Sequence, residues 1–288
     1  MKKVFIVGHA KSGSTLVASQ LQKYFTVSSL GKEPNLFDYR NTKNDLSDFK
    51  KTDLDKYESS FKNSNKTLDA HPWNIGENSA KFIHQYFPDS FIIICQRDPI
   101  KRILSQYEHY LRLKEMDEEP AYSLADLLSD EMLKNVKRLD QETYKKHGIL
   151  GDHPPMPLEL LNTSNYSKTF ENFSKYFSQD KIYVFDLDEH KDEDDISRQL
   201  SIFLNESISF ELKLMNSASN SPNVAMRKFY RAIDFFNFRT KAPIRVKETI
   251  KKILSLFFPQ RRYMPSEADE ELLKERINEY KIKKISRK

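Results

Sequence analysis

The segment that most restricts the possible folds is the passage from Lys2–Val7 into Gly8-His9-Ala10-Lys11-Ser12-Gly13-Ser14-Thr15. Val4-Phe5-Ile6-Val7 is short, β-branched and aromatic, and unbroken by polar residues. A strand covered on both faces reads this way. It ends at Gly8, and residues 14–25 then place Leu16, Leu21 and Phe25 at helical spacing. A strand, a glycine turn and a helix in that order open an α/β fold.

The turn itself, Gly8-x4-Gly13-Ser14-Thr15, nearly matches the phosphate-binding pattern G-x-x-x-x-G-K-[ST]. Successive backbone N–H groups and the positive end of the following helix cradle an anion in such loops, and glycine lets the backbone come close. The departure from the pattern is informative. Position 14, where a P-loop kinase carries the lysine that reaches the β- and γ-phosphates, is Ser14. The lysine here is Lys11, inside the loop.

The rest of the chain continues the alternation. Residues 67–70 read as a short strand and 79–87 as a helix stopped by Pro88. Phe91-Ile92-Ile93-Ile94-Cys95 is the clearest strand of all. Asp98-Pro99 supplies an N-cap followed by proline at the first helical position, which starts a helix over 99–114. Residues 26–44 read as polar and irregular, 46–61 as a charged helix, and 123–146 as a helix or helix pair. Residues 148–157 read as a proline-rich loop. A helix over 166–177, a strand over 181–185 and a helix over 193–204 follow, then a Ser/Asn loop over 215–223. From 224 onward only helices are expected, the last over 266–284. The expected fold is α/β, a central parallel sheet flanked by helices. The chain reads as one domain, residues 1–288, with a core over about 1–222 and a helical C-terminal extension over about 223–288.

Charge is mixed: 47 Lys and Arg against 42 Asp and Glu give +5, which suits an anionic ligand without requiring a nucleic acid. The basic runs 247–252 and 281–288 lack interleaved aromatics and read as solvated faces. No stretch reaches the roughly 18 apolar residues of a membrane-spanning helix, and residues 1–25 do not read as an export signal. The single cysteine, Cys95, and the lack of a zinc-spaced Cys/His cluster point to a reducing compartment, hence a cytoplasmic protein.

A second anion site is readable at the end of the 91–95 strand. Arg97 presents a planar, permanently charged fork suited to phosphate, and Ser105, two helical turns on, can donate a hydroxyl. Arg102 on the same helix is an alternative. Strand ends of open parallel sheets are where ligands bind.

Together the two motifs resemble the sulfotransferase family, which uses 3′-phosphoadenosine 5′-phosphosulfate as sulfuryl donor. In that family a loop like Lys11-Ser12-Gly13-Ser14-Thr15 binds the 5′-phosphosulfate. An Arg…Ser pair eight residues apart, here Arg97 and Ser105, binds the 3′-phosphate. The segment Lys32-Glu33-Pro34-Asn35-Leu36-Phe37-Asp38 is similar to K-E-P-H-F-F of the heparan-type and bacterial branch. The resemblance covers most of residues 2–215 and is weakest over 40–65 and 115–160. Two positions depart from it: Asn78 stands where G-E-K-[ST]-P has lysine, and Asn35 where K-E-P-H has histidine.

The resemblance implies a P-loop NTPase-like sulfotransferase fold and in-line transfer to an acceptor hydroxyl or amine. It implies Lys11 on the leaving oxygen, Glu33 as general base, nucleotide contacts from Tyr166 and Arg227, and no required metal. His71 is the competing base, since imidazole titrates near neutrality. A carbohydrate-like acceptor is favoured, with 36–65 and 115–160 walling its cleft. A P-loop kinase using ATP and magnesium and a catalytically degenerate nucleotide-binding module are the alternatives. Oligomeric state is open.

Overall fold

The structure is a computed structural model and describes residues 2–29, 36–37, 51–62, 64–72, 74–117, 121–136, 160–161, 163–212 and 263–286. In chain order the elements are β1 (Lys2–Val7), α1 (Ser14–Leu21), β2 (Thr26–Val27), α2 (Lys51–Ser59), β3 (Lys66–Ala70), α3 (Glu77–Tyr86), β4 (Phe91–Gln96) and α4 (Pro99–Asp117). They continue with α5 (Leu124–Leu127), α6 (Asp130–Val136), α7 (Tyr166–Ser174), β5 (Ile182–Asp186), α8 (Glu193–Leu204) and α9 (Glu267–Glu279).

The five strands make one parallel sheet in the order β2-β3-β1-β4-β5. The first strand is therefore the middle one. Its register pairs Phe5 with Asp69 on one side and with Ile92 on the other. The unbroken apolar runs of β1 and β4 follow from helices covering both faces. Val4, Ile6, Ile93 and Cys95 pack with Leu16, Val17 and Leu21 of α1 and Ile196, Leu200 and Leu204 of α8. Phe5, Val7, Ile92 and Ile94 face the other way, onto Tyr57, Phe61, Ile83, Tyr166 and Phe173. A third cluster joins Ile103, Tyr107 and Tyr110 of α4 to Leu124, Leu127 and Leu273, so α9 packs on the first half of the chain.

The chain moves from β1 outward to β2 and β3, then crosses back to β4 and β5. That reversal makes the crevice between the C-terminal ends of β1 and β4 a topological switch point, where open α/β sheets hold ligands.

Several expectations are refined. The two-residue strand Thr26–Val27 lies in a stretch read as irregular. The helix expected over 266–284 starts with Ser266 as its cap but ends at Glu279. Lys281 then takes φ 50°, and Ile282 and Ile285 are buried rather than carried on a solvated helix face. Within 123–146 there are two short helices, α5 and α6, while 137–159, like 38–50 and 213–262, lies outside the described residues.

Candidate functional site

The loop after β1 is shaped by three residues with positive φ: Gly8 at 100°, Lys11 at 70° and Gly13 at 93°. At Gly8 a Cβ would sit 2.8 Å from the Cys95 carbonyl oxygen, so the loop leaves β1 directly across the backbone of β4. Gly13 is the N-cap of α1 and contributes no side-chain cap, and the first turn of α1 carries no acidic residue. The head of α1 thus presents the positive end of a helix without a carboxylate of its own beside it. Ser12 and Ser14 are buried, while Lys11, Gly13 and Thr15 are half-buried.

Three side chains brace the loop, those of Arg102 and Tyr166 and that of the loop's own His9. Arg102, fully buried on α4, donates from Nε to the Ala10 carbonyl at 3.1 Å, and from Nη1 to the Leu160 carbonyl and to Ser164 Oγ, both at 2.9 Å. It supports the loop, and the expectation that it reaches a ligand in place of Arg97 is corrected accordingly. Tyr166, at the start of α7, has its hydroxyl 2.8 Å from Ser12 Oγ and close to the backbone of Arg97. Burial pushes this phenol up to about 12. Tyr166 therefore joins the loop to the end of β4. His9 has Nε2 3.1 Å from Thr169 Oγ1 and its ring edge-on to Tyr166, the centroids 4.6 Å apart. Burial, then the charge of Arg102, holds the imidazole well below its ordinary range, so it is neutral. The roles of Arg102 and His9 were missed in the sequence; a polar residue between Gly8 and Ala10 was the one available signal.

The end of β4 supplies the second half. Asp98 caps α4 as expected: its Oδ1 accepts from Lys101 N at 2.9 Å and its carbonyl from Arg102 N at 2.9 Å. Arg97 is partly exposed, with Nε 4.0 Å from Asp188 Oδ1. Asp188 Oδ2 accepts from Asp98 N at 2.6 Å, and Oδ1 pairs with Lys101 Nζ at 3.2 Å. Burial disfavours the Asp188 carboxylate, but the Asp98 N–H, Lys101 and Arg97 outweigh it and hold its pKa below the usual range. Ser105 is half-buried on α4. Leu187, after β5, packs against Gly13: a Cβ there would lie 3.3 Å from Leu187 Cδ1.

The structure thus gathers the loop 8–15, Arg97 and Tyr166 at one edge of the sheet. His71 stands at the same edge, buried at the end of β3, where its N–H extends the ladder to the Ile6 carbonyl at 3.1 Å. Asn78 is exposed in the first turn of α3. Glu33 and Arg227 lie outside the described residues. Among the described residues no group of three or more His, Cys, Asp or Glu is placed to hold a metal, and no helix is long and apolar enough to cross a membrane.

Comparison with solved structures decides the architecture. A crystal structure of a sulfotransferase from Alicyclobacillus acidocaldarius superimposes with a TM-score of 0.54, at 18% identity, covering 91% of this chain and 97% of the other. The chain has the sulfotransferase fold. No family model matches it, and no curated protein sequence does. In this sulfotransferase fold the loop 8–15 and Arg97 flank the switch-point crevice, with α1 and α4 both starting there.

Proposed function

We propose that this chain is a sulfotransferase that takes 3′-phosphoadenosine 5′-phosphosulfate as donor and sulfates an acceptor hydroxyl or amine, a carbohydrate-like acceptor being favoured. The observation that carries the reading is the glycine-capped, acid-free head of α1 and Arg97 standing on the two sides of the switch point. Two separated anions fit that pair better than the triphosphate chain of ATP, and Ser14 offers no lysine to a γ-phosphate.

The residues present suit such a donor. The α1 amides, Ser12, Gly13, Ser14 and Thr15 take one phosphate group, while Arg97 and Ser105 take the second. The donor brings an activated sulfuryl group. The chain positions it and neutralises charge through loop amides and Lys11, so no metal is required. Tyr166 acts from below, fixing Ser12 against the end of β4, and Arg227 remains a proposed nucleotide contact. Glu33 takes the acceptor proton, a role that typically contributes about 10²–10⁴-fold; His71, at the end of β3, is the alternative base. A reducing, cytoplasmic setting rests on the single Cys95.

Thermal unfolding with 3′,5′-adenosine bisphosphate, and separately with ATP and magnesium, tests the donor. Ligand at 100 times its dissociation constant adds about 2.7 kcal/mol, a rise of several degrees at roughly 2–4 °C per kcal/mol. A shift with ATP and none with the bisphosphate overturns the reading in favour of a kinase. With labelled donor and a panel of sugar, lipid, peptide and small-molecule acceptors, Lys11→Ala is expected to lose turnover by about 10²-fold or more. Glu33→Gln is expected to abolish transfer while bisphosphate affinity holds. Full turnover in Glu33→Gln moves the base to His71. Bisphosphate binding without transfer to any acceptor leaves a binding module.

A further inference from the structure

After α9 the chain comes back to the site. Lys281 turns it, and the segment that follows lies along the C-terminal ends of β4 and β5. Ile285 N donates to Gln96 Oε1 at 2.8 Å, and Gln96 Nε2 donates to the Ile285 carbonyl at 3.3 Å. The Lys283 carbonyl accepts from Ser167 N at 3.0 Å, at the head of α7. Lys284 Nζ lies 2.6 Å from Asp186 Oδ2 and 3.2 Å from Glu189 Oε1.

These partners lead to Arg97 in a few bonds. Asp186 is fully buried, and a buried carboxylate is costly unless it is paired. Its Oδ2 accepts from Gln96 Nε2 at 2.9 Å as well as from Lys284, and its Oδ1 accepts from Asp188 N at 3.0 Å. Asp188 in turn holds the Asp98 N–H and faces Arg97. Gln96 precedes Arg97 in the chain, and both ends of its amide are engaged. Each contact of the returning segment with Gln96 and Asp186 therefore bears on the corner where β4 becomes α4.

We infer that residues 283–285 form a strap that fixes the β4–α4 corner, and that Lys284 is a positioning residue for Arg97. This rests on Arg97 being a phosphate ligand of the proposed donor. The guanidinium fork binds a phosphate well only when its plane is aimed. Without Lys284, Asp186 keeps its burial and loses this cation, so Gln96 and Asp188 rearrange and the aim of Arg97 is lost. The anchoring of α9 is separate: Arg276 donates to the Leu128 carbonyl at 2.9 Å and pairs with Asp130 and Glu279, both at 2.6 Å.

The test uses the full chain and 3′,5′-adenosine bisphosphate, read by calorimetry and by hydrogen exchange at the Asp98 amide. Lys284→Met is expected to weaken the bisphosphate about tenfold, the size of one lost charge-assisted contact, and to speed Asp98 exchange by a similar factor. Lys284→Arg is expected to restore both. Arg276→Met, which loosens α9 alone, is expected to lower the unfolding midpoint with bisphosphate affinity unchanged. A folded Lys284→Met protein with wild-type affinity overturns the inference, as does an equal loss of affinity in Arg276→Met. If the wild type does not bind the bisphosphate, the donor reading falls and exchange alone judges the strap. Unchanged Asp98 protection in Lys284→Met then overturns it, and faster exchange supports it.

Discussion

Two helices start after strands at the same edge of the sheet, and their heads are built in opposite ways. The head of α8 is filled by the chain itself. Asp192 caps it, accepting from Asp194 N at 2.9 Å and Asp195 N at 3.3 Å, and Glu193, Asp194 and Asp195 occupy its first turn. The head of α1 has Gly13 as its cap, with no side-chain cap hydrogen bond and no acid in its first turn. Carboxylates at a helix head stabilise a helix by about 0.3–1 kcal/mol each. The sequence therefore takes that stabilisation at α8 and forgoes it at α1, where Lys11 stands beside the opening instead. The difference is what the proposed anionic donor requires at α1.

Filling the open head breaks the contrast most directly. Thr15→Glu puts a carboxylate into the first turn of α1, as α8 already has. Bisphosphate affinity is expected to fall about 100-fold through like-charge repulsion, while the unfolding midpoint without ligand stays level or rises with the helix dipole. If binding and stability fall together, the substitution has merely damaged the fold and the contrast carries no meaning.

A second test concerns the loop that leads into the open head. His9 is neutral because its folded pKa lies well below 6.5, so the unfolded chain binds the extra proton. Stability contributed this way is complete above pH 6.5 and is lost as pH falls below it, by at most about 1.4 kcal/mol per pH unit. Denaturant midpoints taken from pH 7 to pH 5 are expected to fall less steeply for His9→Gln than for the wild type. Parallel curves would place the acid sensitivity elsewhere.

The smallest effect is at the closed head. Asp192→Ala is expected to cost about 1 kcal/mol of stability in equilibrium unfolding and to leave bisphosphate affinity untouched. Weaker ligand binding in this variant would mean that the two heads are not independent.

How far the sequence discloses this arrangement depends on how local the cause is. β1, β4 and the Asp98-Pro99 start of α4 are local: an apolar run covered on both faces, and a cap beside a preset φ. The two-residue β2 gives no such signal, because its pairing with β3 comes from the sheet rather than from Thr26 and Val27 themselves. The end of α9 was overrun because Lys281-Ile282-Lys283-Lys284 suits a helix. Its non-helical course depends on partners at Gln96 and Asp186, far away in the chain. At the site, the glycine loop and Arg97 were legible from their spacing. The buried supports were not, since an arginine such as Arg102 looks like a ligand residue until its partners are known. Tyr166, expected at the nucleotide, has its ring buried and its hydroxyl between Ser12 and Arg97.

The central place of β1 in the sheet also bears on the order of assembly. Gly8 is shaped by the backbone of Cys95, and β1 lies between β3 and β4, strands that follow it at long range in the chain. Such non-local parallel pairing forms slowly. During synthesis the glycine loop emerges before β4 and has nothing to lie across until that strand has been made. A ribosome-bound fragment that stops short of residue 91 would thus carry the whole loop sequence and lack the strand that shapes it.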